Sequence, residues 1–73
     1  MNHYFKDVSN LKHFDVYRVL VLFDVKSHPI GHAIKKLLCA GKRGAKDKTQ
    51  DVQEAINSLL RYLEMQTENE NDK

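Results

Sequence analysis

The segment Gly41–Lys48, GKRGAKDK, holds two glycines, four cations and one aspartate, and no bulky apolar side chain. A chain cannot run regular, buried structure through such a stretch. Glycine forfeits backbone entropy, and clustered cations need water or an anionic partner. It is therefore a turn, and what flanks it decides the fold. On both sides the apolar residues recur at helical spacing, so the expectation is an antiparallel helical hairpin.

Upstream, residues 29–40 place Ile30, Ala33, Ile34, Leu37 and Leu38 on one face. Ser27 or His28 can cap this helix, and Pro29 suits its first position because the missing N–H would be an orphan there. Gly41 follows where a left-handed residue is wanted. Downstream, Val52, Ala55, Ile56, Leu59, Leu60 and Leu63 form an apolar stripe over about residues 49–65. Asp47 and Gln50, three apart, resemble a capping box at its start.

Residues 15–25, DVYRVLVLFDV, carry two signals. Their β-branched and aromatic content favours a strand. Val16, Val19, Leu20 and Phe23 nevertheless fall on a helical stripe behind Asp15, a suitable N-cap. Helix is the preferred reading. The fold expected is mostly α: three short helices, the second and third an antiparallel hairpin, preceded by an extended N-terminal arm. Residues 1–11 form the arm, 12–66 the helical domain, and 67–73 a disordered acidic tail lacking apolar periodicity.

Size limits what such a fold can do. Seventy-three residues make one thin-cored domain, too little material to wall a deep substrate pocket. The expectation is a binding protein rather than an enzyme, without a cofactor. The single cysteine, Cys39, excludes an internal disulfide and a cysteine-rich metal cluster. Beside Leu37 and Leu38 it reads as a small buried hydrophobe rather than a nucleophile. His28 and His32, four apart, share a helix face, but zinc needs three or four ligands and none is evident. The first seven residues include Asn2, His3, Lys6 and Asp7, unlike a signal peptide, and Val19–Phe23 is too short to span a bilayer. A soluble, cytoplasmic protein with no membrane partner is expected, as monomer or small homo-oligomer.

Charge is unevenly spread. Residues 1–46 hold nine Lys/Arg against three acids, and residues 47–73 hold three against seven, so +6 and −4 combine to the net +2. A basic body points to an acidic protein surface or to nucleic acid. The turn fits neither of two phosphate-binding templates. Gly41-x-x-Gly44 has the spacing of the KH-domain loop, but that fold needs a sheet the chain has no room for. Lys48-Thr49 ends like a P-loop yet lacks its preceding glycine and strand. The residues least explained by folding are Tyr4, Phe5 and Val8 of the arm and Lys42, Arg43 and Lys46 of the turn. These are the candidate partner-binding residues.

The stretch from His13 to Met65 resembles a family of small tailed-phage proteins, one branch of which is linked to a phage nucleotide kinase. The corresponding elements here are Asp15, Gly31-His32-Ala33-Ile34-Lys35-Lys36, Ala40-Gly41-Lys42-Arg43-Gly44, Asp51-Val52, Glu54-Ala55-Ile56 and Tyr62-Leu63. His32 stands where the family carries Asn, Lys36 where it carries an aromatic residue, and Cys39 where it carries Arg. In length and character the chain also resembles the small transcription regulators of Xanthomonas phage that bind host RNA polymerase. That resemblance implies contact with the largest subunit (β′), inhibition of initiation and antitermination. Nucleic-acid or nucleotide binding by the same basic patch is the alternative.

Overall fold

The computed structural model describes residues 4–42 and 47–71. It contains three helices: α1 (Val16–Leu22), α2 (His28–Leu38) and α3 (Asp47–Asn71). Asp15 caps α1, its side chain accepting the Arg18 N–H at 2.9 Å. The segment with mixed strand and helix signals is thus helical, although it contributes no fully buried residue.

The exit from α1 is built on Asp24, a non-glycine residue at φ 57°. The Val25 N–H reaches back to the Leu20 carbonyl at 2.9 Å and the Asp24 N–H to the Val21 carbonyl at 3.1 Å. These are the two bonds of a Schellman motif, which satisfies carbonyls orphaned at a helix end. The reversal leads into Ser27, whose hydroxyl accepts the Ile30 N–H at 3.3 Å and starts α2. Gly41 lies past the end of α2 at φ 78°, and a Cβ there would sit 3.0 Å from the Lys48 Cβ. Glycine is required both for the dihedral and for the close approach.

Helix α2 is the central element. Helix α3 packs along it, and α1 leans on it at Gly31, whose missing side chain leaves room for Leu20. Among the described residues α1 and α3 make no close backbone approach. The α2–α3 seam is made by small side chains. Ala33 and Ala55 are the buried hydrophobic residues among those described, and small residues let helix axes approach closely.

Two expectations are corrected. The third helix is not short: it has 25 residues, about 37 Å at 1.5 Å per residue. It begins at Asp47, which therefore lies in the first turn rather than acting as a cap ahead of Thr49, and Gln50 instead donates to Glu54. It also continues to Asn71, through most of the segment expected to be a disordered tail. The continuation has a local cause. Arg61 Nη1 bridges Glu64 and Glu68 at 3.0 and 2.9 Å, and the Thr67 hydroxyl donates to the Leu63 carbonyl at 3.4 Å. Such pairs along one face stabilise a helix that has no tertiary support.

Candidate partner-binding site

The seam between α2 and α3 has two unlike sides. On one side, polar groups pair across the helices. Lys36 Nζ lies 2.7 Å from Glu54 Oε1 and 3.8 Å from Asp51 Oδ1. His32 Nδ1 and Ser58 Oγ are 2.7 Å apart. The Lys36 ammonium, joined by the Gln50 amide, holds the Glu54 carboxyl below the usual carboxylate range. Asp51, 2 % exposed, also accepts the Gly41 N–H at 3.2 Å. A buried carboxylate needs such partners, and these tie the turn to the start of α3.

On this polar side opens a cleft of about 270 Å³, lined by His32, Lys35, Lys36, Cys39, Lys42 and Asp51. Three lysines against one acid make it electropositive. Lys35 has an aromatic neighbour, its Nζ lying 5.7 Å from the Tyr17 ring centre, within cation–π range. Cys39 is exposed at this rim, which corrects the expectation of a buried thiol. It stands at the C-cap of α2, and Leu37 and Leu38 before it are themselves exposed, so its apolar sequence neighbours do not enclose it.

Of the six candidate residues, four are described. Lys42 is exposed at the cleft, whereas Arg43 and Lys46 lie outside the described residues. Tyr4 and Phe5 are 72 % and 70 % exposed and Val8 is also exposed. The arm carrying them has local order. Asp7 accepts the Ser9 N–H at 3.0 Å, which lowers its pKa, and the Leu11 N–H meets the Val8 carbonyl. Lys6 Nζ lies 5.2 Å from the Phe23 ring centre and links the arm to the end of α1. Beyond the six candidates, Phe14, Tyr17, Val21 and Phe23 are exposed as well. Phe14 and Tyr17 were visible in the sequence, but which of α1's faces meets α2 was not.

His28 and His32 acquire no third ligand: among the described residues no group of three His, Cys, Asp or Glu could hold a metal ion. No helix among them is long and apolar enough to cross a membrane. No protein-family model, curated protein or solved structure matches this chain.

Proposed function

We propose that the protein is a phage-encoded transcription regulator that docks on the β′ subunit of host RNA polymerase, inhibits initiation and promotes antitermination. The observation that supports docking is the arm, whose two aromatic side chains are largely exposed although its backbone is locally ordered. A pre-arranged apolar segment loses less entropy on binding than a random one. The basic end of the hairpin, around Lys42, favours an acidic surface and accelerates encounter. The choice of polymerase follows the resemblance to the phage regulators.

The test uses purified polymerase and isolated β′ with the intact chain, with Tyr4→Ala/Phe5→Ala, and with Lys42→Glu/Arg43→Glu. Both variants are expected to bind at least tenfold more weakly and to lose inhibition of promoter-directed transcription. No binding by the intact chain would overturn the proposal. Nucleic-acid binding is the second reading, favoured by the lysine-lined cleft. It predicts DNA or RNA affinity that falls steeply with salt, in proportion to the phosphates neutralised.

A further inference from the structure

The apolar stripe of α3 does not face α2. The residues that do are Asp51, Ala55, Ser58, Tyr62 and Met65, each buried or half-buried. At about 100° per residue, the stripe of Val52, Ile56, Leu59, Leu60 and Leu63 is centred roughly a third of a turn away. All five are exposed, Leu60 and Leu63 by 54 % and 60 %. Leu37 of α2 lies on the same side of the seam and is exposed as well. The hairpin is thus polar on one side, with the Lys36–Glu54 and His32–Ser58 pairs, and apolar on the other.

The surface area says how much is uncovered. The chain exposes 6267 Å², whereas a compact monomer of 8.5 kDa is expected to expose about 4,700 Å². The radius of gyration of 15.1 Å likewise exceeds the roughly 11 Å of a compact chain this long. The surplus, roughly 1,600 Å² per chain, is shared between the exposed arm, the free end of α3 and this stripe, and it is of the order that each partner of an obligate homodimer buries.

We propose that this apolar side is covered by a second copy of the chain, the two hairpins pairing through antiparallel α3 helices into a four-helix arrangement about a two-fold axis. Charge selects the orientation. The far end of α3 carries Glu64, Glu68 and Glu70, while Lys48 lies at its near end and Lys42 just past the end of α2. An antiparallel pair centred on Leu59 and Leu60 sets Ile56 against Leu63 of the other copy, and Glu70 near its Lys48. The five stripe residues carry no charge, and on their outer side the amides of Gln53 and Asn57, bonded to each other at 2.9 Å, precede Glu64. Depletion of charge is the mark of an interface centre. The arm and the lysine cleft are not part of this surface.

Sedimentation equilibrium of the full chain tests the proposal. The expected mass is twice 8.5 kDa, falling to the single value for Leu60→Lys with helical circular dichroism retained. A second variant keeps the face apolar: Leu60→Cys in a Cys39→Ser background should form a disulfide-linked dimer on oxidation. A wild-type monomer at millimolar concentration would overturn the proposal, and so would a dimer that survives Leu60→Lys. A dimer that fails to cross-link through Leu60→Cys would overturn the antiparallel register. A monomeric chain whose polymerase binding is lost in Leu60→Lys would overturn it too, assigning the face to the polymerase.

Discussion

The Gly41 amide donates to Asp51 Oδ2 at 3.2 Å, joining the left-handed residue that ends α2 to a carboxylate buried one turn inside α3. This bond, with Lys36 near the other carboxylate oxygen, fixes how the hairpin closes and where the lysine cleft sits. Asp51→Ala is expected to lower stability by about 2 kcal/mol, because it strands the half-buried Gly41 amide and removes a partner of Lys36. Gly41→Ala is expected to cost about 1–2 kcal/mol, since an L-residue resists φ 78° and its Cβ would crowd Lys48. Urea denaturation measures both. A loss below about 0.5 kcal/mol for either, the range of ordinary surface substitutions, would refute the role given to this junction.

Asp24 occupies the position of the α1 Schellman motif that glycine usually holds. Asp24→Gly should therefore raise stability, by up to about 1 kcal/mol, whereas Asp24→Val should lower it by about 1–2 kcal/mol. The ion pair from Asp24 to Lys26, 3.7 Å between two exposed side chains, is too solvated to reverse that order. Thermal midpoints of the two variants in opposite directions from the wild type would confirm the motif. A destabilised Asp24→Gly would show that the side chain matters more than the dihedral.

Much of the fold is legible in the sequence. Asp15, Ser27 and Gly41 act at the helix ends where their chemistry places them, because a cap is a local matter of one side chain and two or three amides. The direction in which α3 turns was not legible. Its leucine stripe is the larger apolar signal, yet α2 meets the neighbouring face. There Ala33 and Ala55 are buried, and Asp51, Glu54 and Ser58 find partners in Gly41, Lys36 and His32. Those pairings join residues ten to 26 positions apart, which periodicity along one helix does not reveal. The arm was readable as aperiodic and apolar, while its exposure depends on contacts that only the folded chain defines.

The hold of Lys36 on Glu54 makes part of the hairpin's stability depend on pH. The folded carboxyl titrates below its unfolded value, first because it accepts the Lys36 hydrogen bond and then because of Gln50. Its contribution is therefore fully present above the unfolded carboxylate pKa, about 4.3, and is lost as pH falls through the lower folded value. Glu54→Gln should flatten the acid limb of the stability profile below about pH 5 and leave its shape near neutrality unchanged. Urea midpoints across pH 2–7 provide the comparison, and identical acid limbs in the two proteins would remove Glu54 from the account.

Arg61 lies just before Tyr62 and Met65, the last half-buried residues of α3, and its guanidinium reaches Glu64 and Glu68 on one face. Those links are exposed, so their effect on global stability is expected to be small. Their effect on the end of α3 is expected to be large, because residues beyond Met65 have no packed neighbour to hold them helical. Arg61→Ala should speed amide hydrogen exchange at residues 66–71 several-fold while leaving residues 51–58, packed against α2, as protected as before. The proposed dimer adds a second test of the same substitution. An antiparallel copy carries Glu70 to the partner's Lys48, so fraying this end should weaken self-association without abolishing it. Unchanged exchange at residues 66–71 would mean that intrinsic helix propensity, rather than the Arg61 links, carries the helix to Asn71.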